Sequence, residues 1–180
     1  MDTRNDRRAF LRLAVAGAGP AIGSTSGQEK PPAQAERART LGREYMTKYG
    51  NCAQCTIAAL QDSLEIAPKN EAVFLAGTGL HGGASATGNA SCGAFTGAGM
   101  VIGSLRGRSR EKLADRDAAA LAGKLVRELS GKFEQTYGSV VCKDVRAKAE
   151  KNCPEVVSRA ADWAAEILLA QFPAGHGRKS

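Results

Sequence analysis

The sequence predicts an all-α protein, a compact bundle of about five to six helices with a Gly-rich segment and no sheet. Three observations predict it. Apolar residues recur at three- and four-residue spacing along most of the chain, and Gly, Pro and Asn fall where that periodicity lapses. No run alternates apolar and polar residues as a half-buried strand would. The composition agrees: 43% hydrophobic and 24% charged residues over 180 positions suit one soluble domain with an appendage. Aromatics make up only 5% and there are 21 glycines, so the helices are expected to pack closely through small residues.

The first helix runs from Ala35 to about Tyr49, with Ala38, Leu41, Tyr45, Met46 and Tyr49 at helical spacing. Gly50-Asn51 breaks it, and Asn51 caps a second helix from Cys52 to about Ile66, with Ile57, Leu60 and Leu64 on one face. Pro68 stops that helix, and Asn70 caps a short third one containing Val73, Phe74 and Leu75. The stretch from Gly77 to Gly88 is too rich in glycine for a regular element. Asn89 or Ser91 is the expected cap of the next helix, through Cys92 to about Leu105. Its Gly93, Gly97, Gly99 and Gly103 each cost about 1 kcal/mol relative to Ala. Close helix packing, or a ligand against bare backbone, must offset that. A long amphipathic helix follows from about Arg110 to Tyr137, carrying Leu113, Leu121, Leu125, Leu129 and Phe133 and ending at Gly138. A short connecting helix covers Lys143 to Glu150. The last helix starts at Asn152-Cys153-Pro154, where Pro sits harmlessly in the first turn, and reaches about Phe172. Its apolar stripe is Val156, Val157, Ala160, Trp163, Ile167 and Leu168, with Trp163 read as core.

Residues 1–35 read as an address, residues 36–172 as the domain and residues 173–180 as a polar tail. Arg4, Arg7 and Arg8 form a basic start, Leu11 to Ile22 a modest apolar stretch, and Ala33-Gln34-Ala35 a small-residue cleavage pattern. The apolar stretch is too short and Gly-rich for a membrane span, and no cysteine near it offers a lipid anchor. Arg7-Arg8-Ala9-Phe10-Leu11-Arg12 resembles the twin-arginine export motif, departing from it at Asp6 and Arg12. That resemblance implies a periplasmic or otherwise exported protein that crosses the membrane already folded, which favours a cofactor inserted beforehand.

The net charge of +7 does not signal nucleic acid, because basic residues alternate with acids along helix faces, as from Arg108 to Asp117. Paired carboxylates, a Ser-His-Asp set and a phosphate-binding loop are not discernible.

The chemistry therefore rests on the cysteines at positions 52, 55, 92, 142 and 153. In an exported chain disulfides are the default, yet five is an odd number and leaves one thiol over. Cys52, Cys92 and Cys153 each follow Asn or Ser at an expected helix start, where unpaired N–H groups and the helix dipole favour a thiolate. Cys52-Ala53-Gln54-Cys55 lacks the βαβ context of a thioredoxin pair and the following His of a haem site. Cys142 and Cys153 are too far apart in sequence to complete a two-plus-two zinc pattern. His81, in the Gly-rich stretch, is a further candidate metal ligand, and His176 lies in the polar tail.

Cys92-Gly93-Ala94-Phe95-Thr96-Gly97 resembles the Cys-Gly-Ala-x-x-Gly motif of a family of redox-active proteins defined by four cysteines. The segments Tyr49 to Gln54, Gly138 to Cys142, Asn152 to Pro154 and Ala164 to Leu168 resemble the other stretches of that family, so the likeness spans roughly Leu41 to Leu169. It implies a helical domain with a redox or metal role for Cys52, Cys92, Cys142 and Cys153. Cys55 departs from the pattern, as a further candidate metal ligand, an added thiol partner or a small buried side chain. Three readings follow. Four clustered thiolates hold an iron–sulfur cluster or other soft metal for electron transfer, with Gly93 and Gly97 letting it approach backbone. Alternatively Cys52/Cys55 or Cys142/Cys153 carries out metal-free thiol–disulfide exchange. In the third, two disulfides stabilise a metal-handling or binding module. A redox partner or a transport-associated protein is the expected contact, with self-association left open.

Overall fold

The structure is a computed structural model and describes residues 32–172. Residues 1–31 of the expected export signal (1–35) and the polar tail at 173–180 lie outside the described residues, whereas the expected cleavage pattern Ala33-Gln34-Ala35 falls in the first turn of the first described helix, with Ala35 buried.

Seven α-helices make up the described part, more than the five to six expected. They are α1 (Ala33–Tyr49), α2 (Cys52–Ser63), α3 (Glu71–Ala76), α4 (Gly93–Arg106), α5 (Arg116–Tyr137), α6 (Cys142–Lys148) and α7 (Cys153–Ala170). The caps explain most boundaries. The side chains of Asn51, Asn70, Asp115 and Asn152 accept the N–H of Gln54, Val73, Ala118 and Glu155 at the starts of α2, α3, α5 and α7. Asp115 shortens the expected long helix. Residues Arg110–Lys112 form a separate 3₁₀ turn, and Leu113, expected in the apolar stripe, is 63% exposed. Gly138 closes α5 in the left-handed conformation with φ 75°, as expected. Neither Asn89 nor Ser91 caps α4; Cys92 itself occupies the N-cap, without a side-chain capping bond.

Small residues set the packing. Helix α1 lies along α7, where a Cβ on Gly42 would stand 3.1 Å from the Val157 carbonyl oxygen. Ser158, buried between them, donates its hydroxyl to the Arg39 carbonyl at 2.9 Å. Helix α2 runs through the middle against α1, α4 and α7, with Ala53, Ile57, Ala59 and Leu60 fully buried. At its crossing with α4, Gly97 lies directly on the backbone of Ala53. Phe133 of α5 anchors an aromatic cluster, its ring centroid 5.5 Å from Phe95, 5.6 Å from Tyr137 and 5.5 Å from Trp163. Trp163 is thus a packing residue. No described helix is long and apolar enough to cross a membrane.

Between α3 and α4 the Gly-rich stretch coils over one end of the bundle. After a 3₁₀ turn at Thr78–Leu80, five successive residues from Gly82 to Ala86 have φ between 49° and 69°. This is a left-handed turn, closed by Ser85 N–H to Gly79 O at 3.0 Å and Ala86 N–H to His81 O at 3.0 Å. Ala84, Ser85 and Ala86 each carry about 1–2 kcal/mol of strain in that conformation. Gly83 is needed there: a Cβ would come within 2.7 Å of Cys142 Cβ and 2.9 Å of the Ala90 carbonyl.

Candidate functional site

One end of the bundle gathers four helix starts and a cysteine at each. Cys52, Cys142 and Cys153 are the first residues of α2, α6 and α7, and Cys92 caps α4. The sequence reading missed Cys142 as a helix start by one residue. Its cue is Ser139, whose hydroxyl accepts the Val141 N–H at 3.0 Å and donates to Asp144 at 2.9 Å.

All four side chains line one pocket of about 580 Å³. Backbone hydrogen bonds fix two of the four relative to each other. Ser91 and Val141 pair as a single antiparallel bridge, with Cys92 N–H to Val140 O at 2.7 Å and Cys142 N–H to Ala90 O at 2.9 Å. Cys52 is the hub: its thiol lies close enough to raise the pKa of Cys92, Cys142 and Cys153, and of Cys55 behind it. Its Sγ occupies the space that a Cβ on Gly93 would fill. The motif glycines therefore do different work. Gly93 makes room for the Cys52 sulfur, whereas Gly97 makes room for the backbone of α2, and neither of the two glycines expected against a cofactor lines the pocket.

The electrostatics overturn one expectation. The helix starts were expected to lower the thiol pKa values, and the N–H groups of Ala94 and Phe95 do act in that direction on Cys92. Burial outweighs them. Together with the neighbouring Cys52 it pushes Cys92 up to about 12. Cys142 and Cys153 are also raised, first by burial and then by Cys52, against the lowering pull of the Arg146 guanidinium.

All five cysteines are free thiols. Cys55 stands apart from the other four. It is 4% exposed, does not line their pocket and donates its S–H to the Gly50 carbonyl. Burial raises its pKa to about 11. His81 does reach the pocket. Its Nδ1 is 3.1 Å from the Thr78 carbonyl, which can only accept, so Nδ1 donates there and Nε2 is the ring nitrogen left to meet a ligand. Among the described residues no three His, Cys, Asp or Glu side chains converge tightly enough to hold an ion as they stand.

The family model described as "Putative redox-active protein (C_GCAxxG_C_C)" matches residues 50–167. The chain belongs to this family. In the C_GCAxxG_C_C protein described here, the match starts one residue before the Asn51 cap and ends within α7, so it contains all four helix starts of the pocket. No curated protein and no solved structure matches the chain.

Sequence reasoning missed the basic lining of the pocket in this C_GCAxxG_C_C chain. Lys143, Arg146 and Lys151 all reach it. Read along the sequence they look like one solvated helix face. Their position between Cys142 and Cys153 is the cue that could have found them, because a short segment tied at both ends to one pocket must border it.

Proposed function

We propose that this is an exported redox protein whose four pocket cysteines hold a soft metal group, an iron–sulfur cluster before any single ion, for electron transfer. The observation that carries the reading is the gathering of Cys52, Cys92, Cys142 and Cys153, far apart in sequence, around one pocket. The donor set fits a thiophilic group, since four thiols, the Met46 thioether and one imidazole line the pocket and no carboxylate does. A single tetrahedral ion needs sulfurs about 2.3 Å from one point. The cysteines surround a space instead of meeting at a point, which suits a polynuclear group better. Bound there, such a group supplies one-electron exchange.

The chain's own residues support that role. The Ala94 and Phe95 N–H groups reach the Cys92 sulfur and would tune a bound thiolate. Met46, Val145 and Val156 give the pocket an apolar wall that limits water. His81, oriented by Thr78, offers a further nitrogen donor. The twin-arginine resemblance supports export of a protein already loaded and folded.

Metal-free thiol exchange has one observation in its favour, the bridge that sets Cys92 beside Cys142. Diagonal neighbours across such a bridge stand roughly 7–8 Å apart, well beyond the roughly 3.5–4.5 Å between the Cβ atoms of a disulfide. Exchange there also requires a thiolate that burial disfavours.

The deciding experiment is iron and sulfide analysis with ultraviolet–visible spectra on protein purified anaerobically from its native host. Stoichiometric iron and charge-transfer absorption, lost on Cys52→Ala, are expected. Colourless, metal-free protein with four alkylatable pocket thiols would sink the cluster reading.

A further inference from the structure

The pocket has a second chemical face. Lys143, Arg146 and Lys151 line it from α6 and the turn that follows, while no Asp or Glu lines it at all. Among the described residues none of the three cations forms an ion pair, although other basic side chains, such as Arg43, Lys132 and Arg159, do. Arg146 lies close enough to the sulfurs to act electrostatically on both Cys142 and Cys153. Lys151 is held in place by an unusual backbone: Glu150 and Lys151 take φ 50° and 63°, and Lys151 N–H bonds the Arg146 carbonyl at 2.8 Å. The turn thus ties the second and third cations together beside Cys153.

We propose that the mouth of the cysteine pocket is a binding site for a small anionic molecule, held by Lys143, Arg146 and Lys151. Three positive charges on a pocket that no carboxylate lines set up a field that concentrates anions at the concavity. A guanidinium and two ammonium groups together suit the oxygens of a carboxylate, phosphate or other oxyanion, Arg as a planar fork and Lys as point charges. The cavity, about 580 Å³, is within the size range of small-molecule sites, and it combines an apolar wall with a few polar groups as those sites do. An acidic protein surface would call for charges spread over a flat face, whereas these border a hollow. Any link between the bound anion and the cysteine chemistry rests on the redox reading above; its binding does not.

The test is a calorimetric titration of the full chain with inorganic phosphate at low ionic strength. Saturable binding with a millimolar or tighter Kd is expected. Lys143→Gln, Arg146→Gln and Lys151→Gln combined should weaken it at least tenfold, and Arg146→Lys alone should retain most of it. The control pair Lys124→Gln with Arg127→Gln removes charge outside the pocket and should change it less than twofold. Bound phosphate should also slow alkylation of the pocket thiols by neutral iodoacetamide, which diffuse attraction to a basic chain would not do. No saturable binding, or equal loss in the control pair, overturns the proposal, as does a weak complex formed only with acidic proteins. Iron content and thiol titration of the same variants separate the two readings. If they are unchanged while phosphate fails to bind, the anion site falls and the cysteine chemistry stands.

Discussion

Replacing Gly97 by Ala puts a methyl group into a helix crossing that has no room for it. The new Cβ would overlap the Ala53 carbonyl oxygen and stand 3.1 Å from both the carbonyl carbon and Cα of Ala53. Those atoms are backbone of the fully buried Ala53, in the first turn of α2, and cannot rotate away. Overpacking of this kind costs about 1–3 kcal/mol or more, and a clash with backbone belongs at the upper end. Ala regains about 1 kcal/mol of helix propensity over Gly. The expected net loss is about 2 kcal/mol, which for a domain of this size lowers Tm by about 6–10 °C. Gly103→Ala, six residues along the same helix, makes the opposite change: nothing lies within 4 Å of its Cβ. It should gain about 0.5–1 kcal/mol. Chemical denaturation followed by far-UV circular dichroism measures both. If the two variants agree within about 0.5 kcal/mol, or Gly97→Ala is the more stable, the close-crossing account is wrong.

The remaining predictions address the pocket. Gly93→Ala forces out the Cys52 sulfur and should abolish bound iron while keeping a cooperative unfolding transition; unaltered iron content would refute that placement. Cys55→Ala should leave metal content and pocket-thiol reactivity unchanged, in contrast to Cys52→Ala, because Cys55 lies outside the pocket. Asn51→Ala removes the bond to Gln54 N–H and another to the Thr78 carbonyl. It should cost about 1–2 kcal/mol in urea denaturation. Metal-free protein should lose stability as pH rises: Cys92 and Tyr137 each have folded pKa values near 12, above those of an unfolded thiol or phenol. The unfolded chain gives up these protons first, so stability is complete below about pH 8 and declines from there toward pH 12. A denaturation midpoint flat across pH 8–10.5 would contradict this.

Local signals in the sequence carried the fold a long way. Asn51, Asn70 and Asn152 marked three helix starts because a short polar side chain satisfies the first free N–H groups wherever the chain later packs. Gly138 marked a helix end by the same local logic. Where two local options competed, the sequence was ambiguous. Asp115 won the start of α5 over the earlier Arg110, leaving Leu113 exposed, and Cys92 displaced both Asn89 and Ser91 as the start of α4.

By itself the sequence determined that the protein is helical and singled out Cys52, Cys92, Cys142 and Cys153 as its motif cysteines, because periodicity, caps and motif spacing are properties of neighbouring residues. The tertiary structure alone decided that these four share one pocket while Cys55 does not, since that depends on helices meeting at one end of the bundle. It also reversed the thiol electrostatics. A helix start acts within one turn and is visible in sequence, but desolvation comes from every element packed around the sulfur, and around Cys92 desolvation is the larger effect. The split between Gly97 as a packing residue and Gly103 as an open one has the same origin: only the neighbouring helix tells two identical glycines apart.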